Sequence, residues 1–82
     1  MTRLLGHHPR IEVDLDARGR PCRLRWPGGS EQVEVCNQWR IEEDWWRRPI
    51  RRDYFKLSSG QLLALVYLDR VDGSWHLERV FD

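Results

Sequence analysis

Residues 11–26, Ile11-Glu12-Val13-Asp14-Leu15-Asp16-Ala17-Arg18-Gly19-Arg20-Pro21-Cys22-Arg23-Leu24-Arg25-Trp26, decide the fold class. Apolar and charged residues alternate with period two on both sides of a turn at Gly19, the pattern of two half-buried strands. Pairing about that turn sets Leu15 against Cys22, Val13 against Leu24 and Ile11 against Trp26 on one face. The other face then sets Asp14 against Arg23 and Glu12 against Arg25. One register satisfies both faces, which is how an antiparallel hairpin is specified.

The same period runs outward from this hairpin. Pro27-Gly28-Gly29-Ser30 marks a turn. A third strand follows with Val33 and Val35 toward the core, opposite Leu24 and Cys22, so that Arg23 sits between Asp14 and Glu34. In that register Cys36 points away from Cys22, and no disulfide is expected. A fourth strand is expected over about Arg52 to Leu57. Gln61-Leu62-Leu63-Ala64-Leu65-Val66-Tyr67-Leu68 is apolar on both faces and reads as the most buried strand, with a helix as the competing reading of its leucines. Asp72-Gly73 suits a two-residue turn. Beyond it, Trp75, Leu77 and Phe81 alternate, with Leu68 opposite Leu77, Ala64 opposite Phe81, Val66 opposite Arg79, and Leu65 meeting Val80 near Tyr54.

Pro49 forbids a strand interior and disfavours helix at Arg48, so Glu42 to Arg48 is read as a loop or single helical turn folding Trp45 and Trp46 inward. The expectation is therefore an all-β chain: a six-stranded antiparallel meander curling into a small open barrel, with a Trp/Arg-rich loop or single helical turn between strands 3 and 4. Residues 1–8 are expected as a flexible N-terminal segment and 9–82 as a single small β domain.

A chain of 82 residues holds one core and has little room for a deep active-site pocket. Its formal net charge of +1 supplies no global field toward DNA or an anionic membrane. Of the 14 Lys and Arg residues only Lys56 is a lysine, a skew toward planar, bidentate and stacking contacts. No apolar run is long enough to span a bilayer, and Met1 to His8 is too short and polar for a signal peptide, so the cytoplasm is the expected location. His7, His8, His76, Cys22 and Cys36 lack zinc spacing, and no metal or cofactor is expected. Gly28-Gly29 has no phosphate-loop continuation. Glu42-Glu43-Asp44 is read as solvated charge beside the arginines. No catalytic residue is assigned, and the expectation is a protein that is not an enzyme.

The segment 39–55 concentrates the remaining chemistry. It holds Trp39, Trp45, Trp46, Tyr54 and Phe55 together with Arg40, Arg47, Arg48, Arg51 and Arg52. Aromatics and arginine carry binding hot spots, and they also stack and pair with single-stranded nucleic acid. Trp45, Trp46, Arg47, Arg48, Arg51 and Arg52 are the candidate partner-binding residues. Trp39, Tyr54 and Trp75 are expected as the structural floor beneath them.

Trp39-Arg40, Asp44-Trp45-Trp46-Arg47, Arg52-Asp53-Tyr54, Asp69, Gly73-Ser74-Trp75 and Val80-Phe81-Asp82 occur in one order over residues 39–82. This half resembles the C-terminal domain of ImuB-type proteins, catalytically defective Y-family polymerase relatives of bacterial mutagenic repair cassettes. With Gly19-Arg20-Pro21 the whole chain also resembles related short standalone bacterial proteins of uncharacterised function. The resemblance implies an accessory module of DNA repair or translesion synthesis that recruits a protein partner, without a catalytic residue in this segment. The functional expectation is thus a non-enzymatic protein-interaction module binding through a Trp/Arg-rich edge. The alternative is a small barrel that binds single-stranded nucleic acid with the same surface. No membrane partner is expected, and a second copy of the chain is a further candidate partner.

Overall fold

The computed structural model describes the backbone over residues 2–4, 8–45 and 48–81. Within that range every regular element is a strand: β1 Thr2–Leu4, β2 Arg10–Leu15, β3 Pro21–Trp26, β4 Gly29–Gln32, β5 Glu34–Trp45, β6 Arg48–Ser58, β7 Leu63–Asp69 and β8 Ser74–Phe81. All pairings are antiparallel, in the order β4-β3-β2-β8-β7-β6-β5, and β1 adds to β8 beside β2. The expected all-β class is observed. The expected six strands become seven along one unclosed sheet, with β1 as an eighth off that path. Part of the 1–8 segment, expected to lie outside the domain, thus supplies a strand.

The β2–β3 hairpin takes the expected register at Glu12↔Arg25, Val13↔Leu24 and Asp14↔Arg23. Beyond Asp14 a bulge sets Leu15 opposite Pro21 rather than Cys22. The next register differs by two residues from expectation. Trp26 pairs with Gly29, so the turn is Pro27-Gly28 alone, and Leu24 lies opposite Glu31 instead of Val33. Gly28 makes this tight turn with φ of 95°, a conformation that side chains with a Cβ rarely adopt. Arg23 consequently lies opposite Gln32, not beside Glu34.

Val33 is the hinge of the molecule. It alone separates β4 from β5, which are the two ends of the strand order. The sheet must therefore bend round so that its ends approach each other. The Val33 amide donates to the Cys22 carbonyl at 3.0 Å across that join. The inner face of the bend holds the core: Leu24, Val33, Phe55, Leu57 and Val66, flanked by Ile11, Val13, Val35, Trp75 and Leu77.

The β7–β8 hairpin also departs from expectation. Its loop is Arg70–Gly73, with Gly73 at φ 78° and its amide bonded to the Asp69 carbonyl at 2.7 Å. Leu68 pairs with Trp75 and Val66 with Leu77. A bulge then sets Leu65 opposite Arg79, Ala64 opposite Val80 and Leu63 opposite Phe81. The four-residue loop, not the bulge, moves Arg79 off the fully buried Val66 and gives Val66 the apolar neighbour Leu77. Tyr54 pairs with Tyr67 rather than lying by Leu65.

Candidate functional site

Of residues 42–48, expected as a loop or single helical turn, the described ones, 42–45 and 48, are strand. Strands β5 and β6 make one long hairpin, paired from Val35↔Leu57 through Trp39↔Tyr54 and Glu42↔Arg51 to Trp45↔Arg48. Pro49 is tolerated because β7 pairs with β6 only up to Arg52↔Asp69. Beyond that point β5 is the strand paired with β6, so the missing proline N–H disturbs at most one ladder. Opposite charges across the pair support the register: Arg40 faces Asp53 and Glu42 faces Arg51.

Strand alternation then sorts the arginines. Arg51 and Arg52 are consecutive in β6, so they project from opposite faces. On the Arg51 face, Arg40 donates to Asp53 through Nε at 2.7 Å and Nη2 at 3.3 Å. Arg51 reaches Asp44 at 3.5 Å, and Arg70 donates to Glu42 at 2.6 Å. The Asp53 bond raises the Arg40 pKa, and the Arg70 bond lowers that of Glu42. These pairs are solvated and screened by salt, so they add little to stability. Their main effect is to neutralise and brace the hairpin where it leaves the sheet.

Arg52 lies on the outer face of the bend, within a row of rings. Trp39 stacks on Tyr54 at 5.4 Å with an interplanar angle of 2°. Tyr54 and Tyr67 follow at 5.2 Å, then Tyr67 and His76 at 5.2 Å. The Arg52 guanidinium sits 4.4 Å over the Tyr67 ring and donates to the Tyr54 hydroxyl at 3.1 Å. Burial opposes the Arg52 charge, but the Tyr54 hydroxyl and the neighbouring Tyr67 and Asp69 hold its pKa above the ordinary value. Burial likewise pushes the Tyr67 hydroxyl up.

Among the candidate residues whose side chains are described, Arg51 and Arg52 therefore do not share one edge. Arg51 is exposed and paired, whereas Arg52 is half-buried against the tyrosines. Trp46 and Arg47 lie outside the described residues, as do the side chains of Trp45 and Arg48; the backbones of Trp45 and Arg48 close the described hairpin. Of the expected floor, Tyr54 is 6% exposed and buried in the row, while Trp39 is 39% exposed at its outer end. Trp75 packs on the inner face, 5.5 Å from Phe55.

Sequence reasoning missed the other half of the row. Ser74 Oγ donates to Asp72 Oδ1 at 2.5 Å and meets His76 Nε2 at 2.7 Å. His76 Nδ1 lies 3.1 Å from the His8 carbonyl, and His8 Nδ1 lies 3.0 Å from the Tyr67 hydroxyl. This chain clasps the segment before β2 onto β8. Ser74 is only 4% exposed, which suits a clasp better than a nucleophile. The Tyr67–His76 pairing was the available signal, and it emerges only once the β7–β8 loop is given its four residues.

Two clefts flank β2. One of about 760 Å³ is lined by Arg10, Glu12, Arg25, Trp26, Ser74 and Trp75 among others, and an apolar one of about 380 Å³ includes Ile11, Leu24, Trp26, Leu62 and Leu77. Among the described residues no three His, Cys, Asp or Glu side chains converge as a metal site, and no helix is long and apolar enough to cross a membrane. Cys22 and Cys36 are both free thiols, and the bulge between Val35 and Asn37 falls at Cys36. Comparison with known proteins finds no matching family model, no matching curated protein and no matching solved structure.

Proposed function

We propose that this chain is a non-enzymatic protein-interaction module whose binding element is the β5–β6 hairpin. One observation carries the reading: residues 42–45 and 48–51 run past the last β6–β7 pair, Arg52↔Asp69, and stay paired as far as Trp45↔Arg48, next to Trp46 and Arg47 in the sequence. A two-stranded ribbon with an open outer edge, aromatics and arginines is suited to docking another protein by strand addition and side-chain anchoring. The resemblance to ImuB-type C-terminal domains supports an accessory role in cytoplasmic DNA repair or translesion synthesis. Replacing Arg47 and Arg48 together by Ala leaves the circular dichroism spectrum and Tm unchanged and abolishes capture of the partner from the cell's own extract. Capture at the wild-type level would sink the reading.

The row of rings on the outer face favours a second reading, single-stranded nucleic-acid binding. Small β domains can stack bases on such a face, each contributing about 1–3 kcal/mol. Tyr54 and Tyr67 are already covered, however, which leaves Trp39 as the exposed ring of the row's outer end. Anisotropy titration with labelled single-stranded DNA separates the two readings. The interaction-module reading expects no binding at tens of micromolar protein, and tight, steeply salt-sensitive binding would replace it with the second.

A further inference from the structure

We propose that β5 pairs antiparallel with β5 of a second copy of this chain, about a two-fold axis at Ile41. This rests on the hairpin being the interaction element and names the partner its edge fits. Among the described residues, one flank of β5 is taken by β6 and no strand pairs with the other. From Asn37 to Trp45 the strand is regular, with a bulge only at the Val35/Asn37 end, and it contains neither Pro nor Gly. Such an edge is a template for a further strand.

Symmetry and charge select the same register. A two-fold axis perpendicular to a sheet keeps each face on its own side, so opposed residues must share a face. Ile41 is the midpoint of 37–45, and an axis there uses the whole regular stretch. It sets Arg40 opposite Glu42 of the second copy, twice. Trp39 then faces Glu43, Gln38 faces Asp44, and Asn37 faces Trp45, with no like charges directly opposed. An axis moved to Arg40 opposes two arginines, and one moved to Glu42 opposes two glutamates. An axis at Trp39 runs the pairing into the bulge at Cys36, and one at Glu43 opposes two glutamates. Arg40 can serve this contact: Nε and Nη2 hold Asp53, while Nη1 is 3.9 Å from Glu42 of its own chain, beyond hydrogen-bond range. Glu42 accepts from Arg70 through Oε1, and a carboxylate has a second oxygen to offer.

Sedimentation equilibrium of the wild-type chain over a range of micromolar concentrations tests the association without any variant. The expected result is a doubling of mass with concentration, and Glu42→Lys weakens the dimer by about tenfold by opposing Arg40 with a like charge. Oxidative crosslinking tests the register in a Cys36→Ser background. Ile41→Cys is expected to give a covalent dimer. Glu43→Cys is not, because its two copies are offset by four residues, about 13 Å along the strands. A monomer at every concentration overturns the proposal, and so does crosslinking at position 43 equal to that at 41. A monomer that still captures another protein through Arg47 and Arg48 overturns self-pairing and keeps the hairpin as interaction element. A 41-linked dimer whose partner capture survives the Arg47→Ala and Arg48→Ala changes supports the pairing and removes the broader reading.

Discussion

Asp16, Glu42 and Asp72 share a chemical situation: each is an exposed carboxylate that accepts hydrogen bonds from its own chain. Asp16 accepts from the Arg20 and Arg18 amides, Glu42 from Arg70, and Asp72 from the Ser74 hydroxyl and amide. Bonds to the charged form lower all three pKa values below the ordinary 3.8 or 4.5. A carboxylate with a depressed folded pKa contributes stability above its unfolded pKa and loses it as pH falls through the folded value. Asp72→Asn removes one such contribution and loosens the Ser74–His76–His8 clasp. The Tm gap between wild type and this variant should shrink as pH falls from neutrality through the depressed folded pKa of Asp72, because the wild-type carboxylate then becomes neutral as well. A gap that stays constant over that range would refute the assignment.

At the scale of elements, the turns carry the chirality that strands cannot. Gly73 has φ 78° and nothing within 4 Å of a built Cβ, so Gly73→Ala meets only backbone strain. Chemical denaturation should show a loss of about 1–2 kcal/mol. Gly60 also has open space and lacks a positive φ, so Gly60→Ala should be neutral or stabilising by up to about 1 kcal/mol. Equal losses at both positions would contradict the loop geometry.

The same contrast explains what was legible in the sequence. The β2–β3 register could be read because both faces alternate and vote for one pairing. The β7–β8 register could not, because Asp72-Gly73 looks like a two-residue turn while Arg70 and Val71 belong to the loop, and the bulge before Arg79 leaves no compositional mark. The β5–β6 hairpin was hidden by Pro49, a strand breaker in general but tolerated where a ribbon has outrun its next neighbour. Arg51 and Arg52 were singled out from composition, yet their division between two faces needed the strand assignment. Tyr67 and His76 were missed because their partnership is long-range.

Across the whole molecule, one bent sheet does the work of two layers. Its inner face makes the core, with Leu57 1% and Val66 0% exposed, and its outer face carries the stacked rings of Trp39, Tyr54, Tyr67 and His76. Val33 joins the two ends of the sheet, and the hairpin that leaves one end is free of the bend. Strands β5 and β6 pair as one long hairpin, and among the described residues no strand pairs with the outer edge of β5. Residue-resolved amide hydrogen exchange on dilute protein tests this most directly. Protection should alternate along Asn37–Trp45, slow for amides aimed at β6 and fast for those on the outer edge, with the fast set slowing as protein concentration rises. Uniformly fast exchange from 41 to 51 at every concentration would mean a loop in place of the hairpin and would rule out the β5 edge as a docking strand.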